Sequence, residues 1–399
     1  MYNAHMCIYA CMCCIDRDGN PNVTPKVTFE VSITQRMQAA KLFLSDIDKL
    51  YSQLAVCKGY SPAMLGLARE IRYSSDRREL YRRVIGHLQQ RLLATIRWCE
   101  TQLNQGPNLN HKLGSIVALT QSHVADNIPD NLPANIEENP TDYEAILKPS
   151  SQPMLDSDEL LKPLMIMHDS LTSGGYEEIA DGFLVDIIRR VAVFGLTLCP
   201  LDIRQESTRH ASALDAITRY LGIGSYAQWD ETSKINWLQA EISGKLHMIY
   251  LHYIMCIMCK IYTNVLICTG RRPLFRSADI ELMDLNPQNL DTLKTVELAS
   301  QLGPGSLGAY VISQAKSASD VLAVMLLQKQ YGMTGSRMMR VVPLFETLND
   351  LTNAPAVMET LFSLPNYLGL TKNKHEVMIG YRYELMYYKL CYWCSLRLG

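Results

Sequence analysis

The chain has 399 residues and a formal net charge of -2 at pH 7, so no global basic excess points to nucleic acid or an anionic membrane as a partner. Its length allows one large domain or two ordinary ones. The 12 cysteines do not indicate a secreted disulfide scaffold, because such scaffolds are far shorter, and the first residues lack the pattern of a secretory signal. A cytoplasmic protein is expected.

The first half of the chain is dominated by apolar residues at helical spacing. Amphipathic helices are predicted over Val31–Cys57, Asp76–Leu103, Asp156–Leu171 and Ile179–Val193. The arginines of the second helix alternate with aliphatic residues, which favours a solvated helix face over a nucleic-acid stripe. Residues Gln105–Pro153 are rich in proline and asparagine and acidic in the middle. They are predicted to form a disordered insertion or a long surface loop.

The stretch Gly195–His210, GLTLCPLDIRQESTRH, begins as a short apolar run and ends in a dense polar cluster. It predicts a strand that stops in charged residues and enters a helix at Ala211–Leu221. In barrels and open α/β sheets, chemistry sits at the carboxyl end of such a strand. The local pattern alone is equally consistent with a solvated loop between strand and helix.

Strands and helices alternate in the last third of the chain, which predicts an α/β fold with predominantly helical content. The predicted strands are Gly308–Ser313, Arg340–Phe345 and Glu376–Tyr381. The predicted helices are Glu231–Ile242, Leu290–Leu302, Ser317–Gln330, a short stretch through Leu351, and Ala354–Leu364.

Leu246–Cys268 is an apolar run of 23 residues, long enough to span a membrane. Lys260 and two histidines weaken that interpretation. The pairs Cys11/Cys14, Cys256/Cys259 and Cys391/Cys394 have the spacing of zinc ligands, but apolar surroundings offer few polar partners. A membrane span and a zinc site are therefore the less favoured alternatives.

Six motifs, taken in order, resemble the phosphoenolpyruvate carboxylase family. The sequences of several are closer to its bacterial-type branch, which has plant members, than to the ordinary plant-type branch. They are DRDGNPNVT (Asp16–Thr24), LDIRQESTRH (Leu201–His210), RYLGIGSYAQWDE (Arg219–Glu231), AYVISQAKSASDVLAV (Ala309–Val324), VVPLFETLNDL (Val341–Leu351) and VMIGY (Val377–Tyr381).

The resemblance implies a carboxy-lyase that converts phosphoenolpyruvate and bicarbonate to oxaloacetate and phosphate with Mg2+ or Mn2+, feeding the tricarboxylic acid cycle and carbon fixation. It also implies a TIM-type β/α barrel wrapped by many helices, here incomplete, and assembly with further carboxylase subunits. Chemically, phosphate and enolate charge must be neutralised, and water must be excluded from the enolate.

Four residues match functional positions of the family. Arg204 matches the arginine that meets the substrate phosphate, and its planar fork suits an oxyanion. Glu346 matches one of two metal-binding carboxylates, and Leu344 and Met378 match apolar positions that line the pocket. The alternatives are a local ion pair of Arg204 with Asp202 or Glu206, and a helix-terminal charge at Glu346, a role that Asp350 fits better.

The chain also departs from the family pattern. Tyr383 stands where the second metal carboxylate is expected, and Met386 where a lysine is expected. His5, His210 and His375 do not match the catalytic histidine, whose motif precedes DRDGNP in the family. Little or no turnover is therefore expected from this chain.

Three segments coincide with the breaks in the pattern: Met1–Ile15, Leu246–Arg271 and Arg382–Gly399. We expect them to be translated non-coding sequence around a partial carboxylase domain at residues 16–381. The alternatives are a non-catalytic fragment that pairs with intact subunits and, less favoured, a protein held at a membrane by Leu246–Cys268. Missing strands would expose apolar edges and lower solubility.

Overall fold

The computed structural model describes residues 20, 22–71, 79–107, 152–244, 274–275, 277–302 and 305–380. The predictions for residues 1–15, 246–271 and 382–399, and for nearly all of 105–153, lie outside these ranges. Within them, no helix combines the length and apolar character needed to cross a bilayer. The run Leu246–Cys268 lies outside the described residues, so this finding does not bear on it.

A layer of helices forms the first half of the described chain. Its members are α1 Pro25–Gln53, α2 Pro62–Glu70, α3 Leu80–Gln105, α4 Asp158–Ser173 and α5 Val185–Phe194. Helix α1 begins earlier than predicted because Thr24 caps it and Pro25 occupies its first turn, where a missing N–H costs nothing. Apolar periodicity does not register such polar start signals.

The helix predicted over Ile179–Val193 is interrupted. A single turn, Glu177–Ile179, leads into a π-helical segment, Ala180–Leu184, which precedes α5. Gly182 has a ψ of -134°, outside the helical region, and produces the kink. The apolar spacing continues across the kink, which is why the sequence predicts one helix.

In the described part of the chain, four parallel strands form one sheet in the order β1-β2-β3-β4. They are β1 Leu201–Glu206, β2 Leu307–Ser313, β3 Arg340–Phe345 and β4 Met378–Ile379. The helices between them are α6 Ser207–Tyr220, α7 Glu231–Ser243, α8 Pro287–Gln301, α9 Ala318–Gln330, α10 Leu348–Ser363 and α11 Tyr367–Leu370. The predicted α/β class with high helical content is confirmed.

The position predicted for the first strand is wrong. Gly195–Thr197 is a 3-10 turn after α5, and the strand is Leu201–Glu206, the charged part of the motif. Burial alternates along it, and the buried position Gln205 is polar. Helix α6 accordingly begins at Ser207 rather than Ala211. The alternation of apolar and polar residues covers only Leu201–Arg204 and is broken at Gln205, which is buried but polar, so the pattern in the sequence is too short to mark the strand.

The end of the described chain differs in two further details. The two stretches predicted through Leu351 and over Ala354–Leu364 form one helix, α10, which continues through Pro355. The strand predicted over Glu376–Tyr381 is paired only at Met378–Ile379.

Among the described residues, two large apolar cores hold the helices and the sheet together. One lies among α1–α5, and the other lies between the sheet and helices α6–α10. A smaller cluster joins them, with Phe29 and Ile33 of α1 against Leu298 of α8. Buried Arg36 reinforces this junction by donating to the Leu155 carbonyl at 2.8 Å and to Ser306 Oγ at 2.9 Å. Burial lowers the pKa of this guanidinium.

Candidate active site

The sheet has two distinct faces. Residues on the helix face pack into the core under α6–α10, as Ile203, Tyr310 and Phe345 do. Because successive side chains of a strand point to opposite faces, the residues that alternate with these lie on the other face, here called the site face. It comprises Asp202, Arg204, Glu206, Ala309, Val311, Ser313, Val342, Leu344 and Met378, with Glu346 directly after β3.

All four predicted site residues lie on the site face. Arg204 is the register partner of Val311, which in turn pairs with Val342 two residues before Leu344. Leu344 pairs with Met378 on β4. Leu344 is buried, whereas Met378 is 38% exposed. The sheet therefore places an arginine, a carboxylate and two apolar side chains near the carboxyl ends of adjacent strands.

Arg204 and Glu346 form an ion pair across β2. The Arg204 Nη2 donates to Glu346 Oε1 at 3.0 Å, and the two side chains are 30% and 22% exposed. Asp202 uses its Oδ1 to accept from the Ala309 N–H at 2.7 Å. The ion pair that the described residues show for Arg204 is with Glu346, whereas the local alternative expected Asp202 or Glu206 as its partner.

Glu346 is not needed as a helix cap. The start of α10 is closed by a reciprocal capping box, in which Asp350 accepts from the Thr347 N–H at 3.0 Å and Thr347 Oγ1 accepts from the Asp350 N–H at 3.2 Å. Gly380 leaves room beside Glu346, since a Cβ there would lie 3.3 Å from its Cα and Cγ. The Glu346 carboxylate is thus left to the site face.

A buried polar network underlies β1 on the helix face. Tyr310 Oη donates to Gln205 Oε1 at 2.6 Å, and His210 Nε2 lies 2.9 Å from the same hydroxyl. Gln205 Nε2 donates to Thr292 Oγ1 at 3.5 Å. Burial, aided by neighbouring Arg209, lowers the pKa of His210 to about 3, so this imidazole is neutral.

Sequence reasoning missed this network because Gln205 and His210 belong to a run that reads as solvated. The network could have been predicted from the positions of Gln205 and His210 relative to the strand and the helix. Gln205 alternates with Arg204 on β1, and His210 lies one turn inside the helix that follows.

Glu346 alone among the predicted ligands provides a carboxylate for a divalent cation. Within the described ranges, no group of three or more His, Cys, Asp or Glu side chains could hold a metal ion. Mg2+ commonly keeps several waters and takes only one or two protein carboxylates together with substrate phosphate. The donor set therefore fits part of such a site, and Tyr383, at the expected second position, lies outside the described residues.

In α/β proteins, ligand-binding and catalytic residues commonly lie at the carboxyl ends of parallel strands, which is where Arg204 and Glu346 stand. Comparison with known sequences gives the specific family. Residues 2–256 and 261–382 match the family model described as "Phosphoenolpyruvate carboxylase". The chain belongs to the phosphoenolpyruvate carboxylase family.

Individual relatives agree. A phosphoenolpyruvate carboxylase of Stutzerimonas stutzeri (strain A1501) is 37% identical over 366 residues, which cover 92% of this chain and 33% of the relative. Phosphoenolpyruvate carboxylase 1 of Chlamydomonas reinhardtii is 34% identical over 389 residues, with the same two coverages. The chain therefore spans about a third of the length of these curated relatives.

The family match also touches the segments expected to be non-coding. It begins at residue 2, omits residues 257–260 of the apolar run, and ends at residue 382. The origin of Met1–Ile15, Leu246–Arg271 and Arg382–Gly399 stays a prediction, as do the domain boundaries drawn from it.

Proposed function

We propose that this chain carries the phosphate-contacting part, and half of the metal-binding part, of a phosphoenolpyruvate carboxylase site. The reaction adds bicarbonate to phosphoenolpyruvate and yields oxaloacetate and phosphate. The observation that carries this proposal is the 3.0 Å contact between Arg204 and Glu346 at the ends of parallel strands. Parallel strands paired in chain order, with helical crossovers, also support a partial TIM-type barrel.

Arg204 would bind the substrate phosphate. Its guanidinium presents several donors in a planar fork, which matches phosphate oxygens better than a lysine would. In the reaction, a bicarbonate oxygen attacks phosphorus and the bond to the enol oxygen breaks, which gives carboxyphosphate and the enolate of pyruvate. Arg204 would hold the phosphoryl group in place during this transfer.

Glu346 would act as one ligand of Mg2+ or Mn2+. When bound, such a cation supplies Lewis-acid stabilisation of the phosphate and enolate charges. Leu344 and Met378 would form the apolar wall that keeps water from protonating the enolate before it captures CO2 from carboxyphosphate.

The site proposed for this chain is incomplete. Tyr383 has no carboxylate and Met386 has no ammonium group, so the second metal ligand and the family lysine have no counterpart at those positions. Parts of one catalytic unit do not act additively, and losing several removes nearly all rate. We therefore propose substrate binding with little or no turnover. The second candidate, supported by the same two residues, is a non-catalytic chain that pairs with intact cytoplasmic carboxylase subunits.

The test uses purified chain 1–399. Phosphoenolpyruvate binding is measured by calorimetry with Mg2+, and oxaloacetate formation by coupled reduction to malate with bicarbonate present. We expect saturable binding that Arg204→Gln abolishes and Arg204→Lys weakens, with no oxaloacetate formed. Absence of binding would refute the site, and rapid turnover would refute its incompleteness. Retention of the chain in carbonate-washed membranes would favour the membrane alternative.

A further inference from the structure

Ser313, the last residue of β2, has a buried hydroxyl that the fold itself does not use. The residue is 0% exposed, and within the described part of the chain its Oγ has no hydrogen-bond partner. Buried hydroxyl groups in proteins nearly always have one. A group left unsatisfied in this way calls for an explanation outside the packing of the strand.

The position of Ser313 points to the site face. It lies two residues after Val311 and four after Ala309, so its side chain is on the same face of β2 as these two members of the apolar cluster. Its register partner on β1 is Glu206. Strand β2 lies between β1 and β3, so the contact from Arg204 to Glu346 must cross it. Arg204 lies two residues before Glu206 on β1, and Glu346 follows the end of β3. The ion pair therefore passes the end of β2, where Ser313 stands.

The backbone after Ser313 is held in an uncommon conformation. Gln314 has a φ of +55°, in the left-handed region that non-glycine residues rarely adopt. Its carbonyl accepts from Ser207 Oγ at 2.9 Å, which ties the end of β2 to the start of α6. Such strain persists only where surrounding structure enforces it, and it concentrates at functional sites. The neighbouring hydroxyl of Ser207 is thus occupied by the fold, while that of Ser313 is left over.

We propose that Ser313 is an additional ligand-binding residue, whose Oγ–H donates to an anionic oxygen of the molecule held by Arg204. The oxygen belongs to a phosphoryl or a carboxylate group, both of which phosphoenolpyruvate carries. The inference rests on the proposed function, because it takes the same ligand at the same site. A hydroxyl donor beside a guanidinium adds a charge-assisted hydrogen bond and fixes the orientation of the anion.

The test removes only the hydroxyl, in Ser313→Ala of the full chain. The affinity for phosphoenolpyruvate, measured by calorimetry with Mg2+, should fall roughly tenfold, the worth of one hydrogen bond to a charged oxygen. The melting temperature should stay the same or rise, because an unpaired buried group disappears. If Ser313 had only a structural role, the affinity would be unchanged and the melting temperature would fall.

Ser170→Ala supplies the matched control. Ser170 is equally buried, but its hydroxyl lies 2.8 Å from Tyr81 Oη and accepts from the Ser61 N–H at 2.9 Å. Its loss should lower the melting temperature and leave the affinity unchanged. Inorganic phosphate and pyruvate, used as separate probes, distinguish the two oxygens, since Ser313→Ala should weaken only the probe whose group Ser313 contacts.

Each outcome is decisive. Weaker binding by Ser313→Ala with an undiminished melting temperature supports the inference, whereas unchanged affinity or a lower melting temperature overturns it. If Arg204→Gln loses binding and Ser313→Ala keeps it, the proposed function stands and only the role of Ser313 falls. If the unaltered chain binds no phosphoenolpyruvate, both fall.

Discussion

The two faces of the parallel sheet differ in the polar groups that they carry. On the helix face, Gln205, Tyr310 and His210 are buried and linked by hydrogen bonds. On the site face, Arg204 and Glu346 are charged and partly exposed, and no partner for the Ser313 hydroxyl is found in the described residues. The helix-face network ties β1 and β2 to the helices that cover them, although His210 Nδ1 has no partner among the described residues. The proposed function would give the polar groups of the site face a ligand.

Phe345→Ala should have the largest effect, since Phe345 is 1% exposed in the core of the helix face. Loss of its ring leaves a cavity, and the free energy of unfolding should fall by about 3–5 kcal/mol. Denaturation by urea measures this loss. The adjacent Glu346→Gln should alter stability by less than about 1 kcal/mol, as for an exposed ion pair, and should instead weaken Mn2+ binding. If Phe345→Ala and Glu346→Gln lowered the free energy of unfolding equally, the two faces would not differ in their contribution to stability.

Tyr310→Phe should have the next largest effect. It removes one hydroxyl and leaves both Gln205 Oε1 and His210 Nε2 without that partner. Each buried unsatisfied group costs about 1–3 kcal/mol, and taking the lower half of that range for both groups gives an expected loss of about 2–4 kcal/mol. Urea denaturation gives the loss, and phosphoenolpyruvate affinity should be unchanged. A variant as stable as the unaltered chain would show that the network does not support the fold.

The pH dependence of stability tests whether His210 is neutral. Its folded pKa of about 3 lies below the unfolded value of 6.5, so the unfolded state binds the proton first. The free energy of unfolding therefore has its full value, as far as His210 is concerned, above pH 6.5. It decreases as the pH falls from 6.5 towards 3, by up to about 1.4 kcal/mol per pH unit. Burial raises the pKa of Glu297 to about 7, which acts in the opposite direction.

His210→Gln separates the two contributions, because glutamine keeps a side-chain donor and does not titrate. The difference in unfolding free energy between this variant and the unaltered chain should shrink by about 2 kcal/mol from pH 6.5 to pH 5. Urea denaturation at each pH provides the values. A difference independent of pH would mean that His210 titrates normally in the folded protein.

Deletion of residues 246–271 should have the smallest effect. Both sides of this stretch are fixed to the end of α9: Lys329 Nζ donates to the Glu241 and Ile242 carbonyls, and Gln330 contacts the backbones of Leu274 and Phe275. Because these contacts already hold the two flanks together, and closing a connection depends on its length by only about 0.6 kcal/mol per doubling, a chain joining Lys245 to Arg272 should keep its stability within about 1 kcal/mol.

Cooperative thermal unfolding of the deletion variant provides the measurement. Lys329→Ala serves as a comparison, because it removes the donor to the two helix-end carbonyls and should lower stability more than the deletion does. Failure of the deletion variant to fold would place residues 246–271 in the structural core. A transcript encoding this run in frame would separately contradict its non-coding origin.

Several elements could be predicted because their signals are local. Strand β3 matches the prediction over Arg340–Phe345, and α7 lies within one residue of the predicted end. Strand β1 was misplaced, because its apolar alternation ends after Ile203 and the next buried position, Gln205, is as polar as its neighbour Arg204. The start of α1 was missed for a similar reason, since its cap is a polar contact of Thr24.

The sequence by itself determined the family, the α/β class and the residue types of the site, because six motifs keep their order and Arg204 and Glu346 keep their chemistry. Tertiary structure decided that these two residues, which are 142 positions apart, meet at 3.0 Å across β2. It also decided which polar groups find hydrogen-bond partners within the described part of the fold and which, such as Ser313 Oγ, do not. The physical reason is that strand register and burial arise from pairing between distant segments, which local pattern does not encode.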